Sequence, residues 1–390
     1  VRRGRLGEKK GAMILAVGAK GAVGSTVAAL VAALQEEGER SSQCLTTRGC
    51  LAGLMETGAI AFGGWDTKPH SLEDALERQG VIPREIWSRY RGLLEKMEVF
   101  SEPKGTTLGE KTEMIQEDIL EASSRYPWAV PVVVDLLPAF GRGTWPEFGS
   151  LEELMSMRSD SLMPDLPYAL AATRMGIPFV NFTSNPVEHD LLVREALAKG
   201  APMAGRDGKT GQTYLKVVIA SALKARSLLV EGWYSLNILG NDDGRNLSRE
   251  DIASCKLENK TRVLEEVLGY SLGDRHRVRI DFYEPRGDCK EAWDVIDFSG
   301  AFGLPMSMRV NLMARDSVLA APMVIDLARW MVALKQVGEK GLIGDLAFFF
   351  KRPLGESPPA TFHEQLLALD RLAMMIHERR KGHEGHFSFV

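Results

Sequence analysis

Met13 to Val17 (MILAV) is an unbroken apolar run, followed by Gly18, Gly21 and Gly24 and then by Ser25–Leu34 with apolar residues at helical spacing. This order predicts a buried strand, a tight glycine turn and a helix. Ala129 to Leu137 (AVPVVVDLL) and Ile177 to Phe182 (IPFVNF) predict two more buried strands, with helical stretches between them over Leu151–Met175. Strands that are apolar throughout are covered on both faces, so their alternation with helices predicts a parallel, doubly wound sheet. Beyond residue 211 the pattern changes. Thr213–Ala225 reads as a helix, Leu228–Leu239 as a strand, and Arg277–Phe282 and Met306–Leu312 alternate polar and apolar residues. Such alternation predicts one-side-buried strands of an antiparallel sheet. Ser317–Leu334 and Gln365–Ile376 predict helices that return to the first sheet.

The expected fold class is therefore α/β: a Rossmann-like domain from residues 1–211 and 321–390, with an inserted α+β domain at 212–320. At 390 residues, 45% apolar and 26% charged, the chain can build two such cores. The net charge is 48 − 52 = −4; Arg2, Arg3, Arg5, Lys9 and Lys10 against Glu8 make the first ten residues +4, leaving −8 for the rest. That excess argues against nucleic acid as a partner, and residues 1–10 read as a disordered end. Apolar runs such as Val318–Ile325 fall short of the ~20 residues of a membrane span, so no membrane partner is expected. Cys44, Cys50, Cys255 and Cys289 show no CxxC spacing, which argues against zinc and for a reducing, cytoplasmic setting. His383-Glu-Gly-His386 reads as a polar tail rather than a metal site.

The glycine turn has the chemistry of a dinucleotide cradle. Glycines at 18, 21 and 24 admit a diphosphate close to the backbone, and the following helix offers free N–H groups and a positive dipole end. Ala19, Lys20, Ala22 and Val23 lie in the loop and first turn, with Ser25 and Thr26 as candidate hydroxyl donors. The acid expected at the end of the second strand is missing from Cys44-Leu-Thr-Thr-Arg48. Asp66, in Gly63-Gly-Trp-Asp66, is the later candidate for the ribose. NAD is the favoured cofactor, with Arg48 leaving NADP open.

Several segments carry more polar residues than packing requires. They are Gly205-Arg-Asp207-Gly-Lys-Thr-Gly-Gln-Thr213; Leu239-Gly-Asn241-Asp-Asp243-Gly-Arg-Asn-Leu-Ser248; Lys256 and Lys260, four apart; Lys290, in a loop between strands; and Lys351, after three Phe. Taken singly, each has a plain structural reading: Asn-Asp-Asp-Gly is turn chemistry, an i, i+4 lysine pair is a solvated helix face, and a lysine beside phenylalanines snorkels.

These motifs, with Ala314-Arg-Asp316-Ser-Val-Leu-Ala-Ala-Pro322 and the Gly-Gly-Trp-Asp66 stretch, resemble the signatures of the myo-inositol-phosphate synthase family in order and spacing from about residue 12 to about 370. The resemblance implies an isomerase of inositol biosynthesis that uses NAD without consuming it. Glucose 6-phosphate is oxidised at C5, loses a proton at C6, closes by aldol attack on the C1 aldehyde and is reduced again. It further implies that Lys256 works at the C5 hydroxyl, that Lys260 contacts substrate and phosphate, and that Lys290 and Lys351 stabilise the C1 oxyanion. Asp207, Asp243 and Asp316 match acids near the nicotinamide and the lysines, and Asn241, Ser184 and Asn185 match further contacts. Family members need either a divalent or a monovalent cation, which this sequence leaves unassigned, and assemble as homotetramers through the middle domain. A synthase of another carbocycle and a plain NAD(P)-dependent sugar-phosphate dehydrogenase are the alternatives.

Overall fold

The structure, a computed structural model, describes residues 11–38, 59–140, 148–240, 244 and 262–385. With strands numbered along the chain, β1 (Gly11–Val17), β2 (Ile60–Asp66), β3 (Val99–Ser101), β4 (Ala129–Asp135), β5 (Phe179–Asn181), β6 (Pro202–Gly205) and β11 (Gly341–Leu342) form one parallel sheet. Their order is β11-β6-β5-β4-β1-β2-β3, so the chain reverses direction across the sheet between β1 and β4. Successive residues of β1 feed two different cores. Ala12, Ile14 and Ala16 pack with the helices Ala22–Glu37 and Asp316–Gln336, whereas Met13, Leu15 and Val17 pack with the helices Leu108–Arg125 and Leu166–Arg174. This two-sided burial is why the strand carries no polar residue.

Pro131 lies in β4, a central strand, where a missing N–H would normally break a ladder. Val133 N donates to Pro178 O on the β5 side at 3.0 Å, and β5 begins only at Phe179. Pro131, two residues earlier, faces the same edge before there is a strand to pair with, so no ladder bond is lost.

β7 (Leu229–Leu239), β8 (His276–Phe282), β9 (Cys289–Ser299) and β10 (Pro305–Arg315) form a second sheet in the order β10-β9-β7-β8. It is mixed, correcting the expected antiparallel sheet: β9 runs antiparallel to both β7 and β10, but β8 runs parallel to β7. Alternation reports a buried face, not a direction. The connection from β7 to β8 is long enough for a crossover, and a helix at 262–268 packs Val263, Leu264, Val267 and Leu268 against Trp233, Ile296 and Val217. Lys290 is the second residue of β9, paired with Ala314, rather than in a loop.

The helix Asp316–Gln336 is long and apolar enough, by length and composition, to cross a membrane. Here it is buried between the first sheet and the helix Ala22–Glu37, which accounts for its composition. The helix Phe362–Gly385 adds Leu369, Leu372, Ala373 and Ile376 to the same core. Trp330 is fully buried there. Trp330→Ala should cost about 3–5 kcal/mol in urea unfolding, through lost burial and the cavity left behind.

Candidate functional site

The C-terminal ends of the parallel strands gather the glycine turn, Asp66, Ser184 and Asp207 along one edge, where open α/β sheets bind ligands. At the end of β1, Gly18 takes φ +87° and Gly21 precedes the helix Ala22–Glu37. A Cβ on Gly24 would sit 2.5 Å from Gly18 O and 2.6 Å from Ala19 O, so the turn closes this tightly only with glycine. The first-turn amides of that helix, from Ala22 and Val23 onward, have no acceptor within the helix and are available to an anion. Ser25 and Thr26 do not add to them: their hydroxyls are buried and donate to Gly21 O (2.8 Å) and Ala22 O (2.7 Å).

The strand beside β1 is β2, and it ends in Asp66. The strand paired with β1 thus does end in an acid; Cys44–Arg48, the expected end of the second strand, lie outside the described residues. Asp66 Oδ2 accepts Lys20 N at 2.7 Å and Oδ1 accepts Lys68 N at 3.0 Å. The Lys20 ammonium donates to Lys68 O at 2.7 Å, at the β2 end of the turn. The fit to a dinucleotide thus rests on backbone amides, a glycine cradle that a Cβ would fill, and a carboxylate at the β2 terminus.

At the other end of the edge, two lysine–aspartate pairs share one short loop. After β6, Asp207 holds φ +64°, a left-handed conformation unusual for a non-glycine residue. It is fixed by Asp207 N donating to Thr183 O and Lys351 N donating to Asp207 O, both at 2.7 Å. Lys351 Nζ then meets Asp207 Oδ1 at 2.7 Å. Three residues on, Thr210 Oγ1 donates to Asp316 Oδ1 at 3.1 Å, and Asp316 Oδ2 accepts Lys290 Nζ at 2.9 Å. Burial pushes the Asp316 carboxyl up, but the Lys290 and Lys351 ammonium groups and the hydrogen bonds from Lys290 and Thr210 outweigh it, holding the carboxyl down at about 2. That Lys351 acts on Asp316 as well as on Asp207 places both pairs in one electrostatic neighbourhood.

The loop is anchored from below. Lys209 is buried, with Nζ donating to Gln365 Oε1 at 2.7 Å and to Ala347 O at 3.2 Å, and burial lowers it to about 7. Gln212 Nε2 donates to Asp294 Oδ2 at 2.9 Å, while Asp294 Oδ1 accepts Trp233 Nε1 and Ser235 Oγ. Lys216 meets His276 Nε2 at 2.9 Å; burial lowers the lysine to about 8, and burial together with that lysine lowers the histidine to about 3. None of these anchors was singled out from the sequence, although Lys209, Thr210 and Gln212 stand inside a quoted motif.

Of the expected site residues, Asp207, Asp316, Lys290 and Lys351 come together. Ser184 stands half-buried between Thr183 and Asn185. Asn241, Asp243, Lys256 and Lys260 lie outside the described residues; β7 delivers the chain to Leu239 on the strand that pairs with β9, whose second residue is Lys290. Among the described residues no group of three or more His, Cys, Asp or Glu could hold a metal ion.

Residues 211–317 match the family model of myo-inositol-1-phosphate synthase. The chain is 31% identical over 331 residues to inositol-3-phosphate synthase 1 of Bacteroides thetaiotaomicron, covering 77% of this chain and 76% of that one. It is 27% identical to inositol-3-phosphate synthase 1 of Oryza sativa, over 71% of this chain but only 60% of the longer plant protein. Among solved structures, inositol-3-phosphate synthase of Caenorhabditis elegans superposes with a TM-score of 0.81 at 19% identity, covering 94% of this chain and 86% of that one. A myo-inositol-1-phosphate synthase-related protein of Thermotoga maritima gives 0.73 at 21%, covering 94% and 98%. The two structures agree with the fold, and the sequence match to the Bacteroides enzyme carries the assignment: the chain belongs to the myo-inositol-phosphate synthase family.

Proposed function

We propose that this chain converts glucose 6-phosphate to myo-inositol phosphate by an NAD-dependent cyclisation with no net redox change. The observation that supports it most is the pairing of Lys351 with Asp207 and of Lys290 with Asp316, joined by the loop that runs from Asp207 to Thr210. β6, which leads into that loop, lies three strands from β1, or about 14 Å at ordinary strand spacing. The glycine cradle and Asp66 would hold NAD, which when bound accepts a hydride from C5 and returns it. Everything else falls to the protein. Ring closure builds negative charge on a sugar oxygen, and two ammonium groups fixed by carboxylates stabilise such a charge without reorganising. The aspartates hold the lysines in position. Lys256 and Lys260 would supply the base at C5 and the grip on phosphate. A divalent or monovalent cation beside Asp243 would complete the phosphate site.

Subunit contact is proposed on the outer face of the mixed sheet, where Tyr234 (40% exposed), Trp293 (48%) and Met313 (66%) stand on adjacent strands. Burying that face in a homotetramer would remove apolar surface from water.

Incubation with glucose 6-phosphate and NAD should yield a cyclitol phosphate with flat absorbance at the NADH wavelength; steady NADH accumulation would mean a plain dehydrogenase instead. Lys351→Ala should lower turnover by about 10²–10³ through loss of one oxyanion donor, while NAD affinity measured by fluorescence titration stays close to that of the parent. The depressed Asp316 carboxyl also predicts an acid limb of stability. The ion pairs contribute fully above the ordinary carboxylate range, and that contribution is lost as pH falls from about 4 through about 2. Asp316→Asn should flatten the limb in thermal unfolding measured across that range.

A further inference from the structure

We infer that Asp135 and Asp165 share a single proton and, with Asn185, form the positioning unit for the two loops that line the cleft after β4 and β5. Asp135, Asp165 and Asn185 are 0%, 0% and 2% exposed. Asp135 Oδ1 accepts Leu137 N at 3.1 Å, but among the described residues Oδ2 meets no donor, and the side chain within hydrogen-bonding reach is the Asp165 carboxyl. Two carboxylates cannot face one another in a dry site without a proton between them. The hydrogen bonds say where it resides. Both oxygens of Asp165 accept from Asn185 Nδ2, at 3.0 and 2.9 Å, so Asp165 is the acceptor. Oδ2 of Asp135 carries the proton and donates it to Asp165.

Among the described residues, the surroundings give the pair no cation. Glu188, from the loop after β5, is a third buried acid, and its charge is answered by Arg206 at 3.4 Å and by Asn181. The helix Leu166–Arg174 contributes the buried phenol of Tyr168, and β1 contributes apolar residues. Burial, Asp165 and Glu188 all push Asp135 far above the usual carboxylate range, while burial lifts Asp165 to about 6.

The same atoms tie the loops. Asn185 Oδ1 accepts Phe140 N at 2.9 Å, and its Nδ2 also reaches Pro138 O at 3.1 Å, fixing the segment that leaves β4. Leu136 N donates to Val17 O at 3.0 Å, joining that segment to the strand that enters the glycine turn. On the other side Asn185 N donates to Thr183 Oγ1, and Thr183 O accepts Asp207 N, so the unit also reaches the Lys351 pair. Loss of the shared proton would set two buried charges against each other at the junction of both loops.

The sign is fixed by linkage. A carboxyl that keeps its proton in the fold but loses it on unfolding makes stability fall as pH rises above the ordinary carboxylate range, levelling only at the folded value. Asp135→Asn retains an acceptor for Leu137 N and supplies a permanent N–H donor to Asp165. In denaturant unfolding above about pH 5 it should gain on the parent by about tenfold in the folding equilibrium per pH unit until the folded value of Asp135 is reached. Lys209 and Lys216 titrate in both proteins and cancel in the comparison. Parallel pH profiles would overturn the inference. If Asp135→Asn does not fold, Asp165→Asn makes the same comparison with the donor on the other side. The parent chain itself should show the infrared carbonyl band of a protonated carboxyl at pH 7, and its absence is equally decisive against the shared proton. The consequence for cofactor binding rests on the proposed NAD reading: NAD affinity should weaken with rising pH in the parent and less so in Asp135→Asn. Failure of every protein to bind NAD at any pH would reject that reading alone, since the unfolding comparison needs no cofactor.

Discussion

Two ammonium groups and two carboxylates held largely out of water, brought together around the loop from Asp207 to Thr210, are the constraint on which the molecule turns. An ion pair taken out of water is costly unless its geometry is good and its remaining donors and acceptors are met. Each member here therefore leaves from the end of a fixed element. Lys290 opens β9, Asp316 opens a 21-residue helix, Asp207 follows β6, and Lys351 follows the turn of chain that Lys209 holds through Ala347 O. A carboxylate in the first turn of a helix also faces its positive end, which favours the ionised form.

The two sheets divide the work. The parallel sheet is apolar on both faces, so its strand ends are placed by core packing and the polar groups sit only at its edge. The mixed sheet buries polar side chains on its inner face: Ser235, Asn237 and Asp294 are 0%, 0% and 6% exposed. Ser235 and Asp294 are tolerated because they bond to one another, to Gln212 and to Lys216, and this network ties the helix Gln212–Ala225 to β7 and β9. Polar groups are thus buried in a bonded network on one sheet and presented at the margin of the other.

What the sequence made legible follows the same division. MILAV followed by spaced glycines, and AVPVVVD, could be placed because a strand covered on both faces leaves an unmistakable apolar run. The direction of β8 could not, since RVRIDF alternates in the same way beside a parallel or an antiparallel neighbour. Lys290 reads as loop because Asp288, Lys290 and Glu291 are polar, yet it is the second residue of β9 and its ammonium is paired with Asp316. Asp66 was missed as the end of the second strand because Cys44–Arg48 stands at the more usual spacing. Asp135 does close an apolar run, a visible signal, but its partners Asp165 and Asn185 are 30 and 50 residues further along, and only the fold makes them neighbours.

The helix that begins with Asp316 is also deeply buried in the parallel-sheet domain, while the strand just before it belongs to the other sheet. One continuous rod thus carries the acid paired with Lys290 at its tip and serves as a main beam of the larger core. The two halves of the molecule are therefore inseparable in a mechanical sense: any rotation of one sheet against the other pivots on that rod and moves the acid relative to Lys351 and Thr210. Alignment of the centre is inherited from the rigidity of the whole frame.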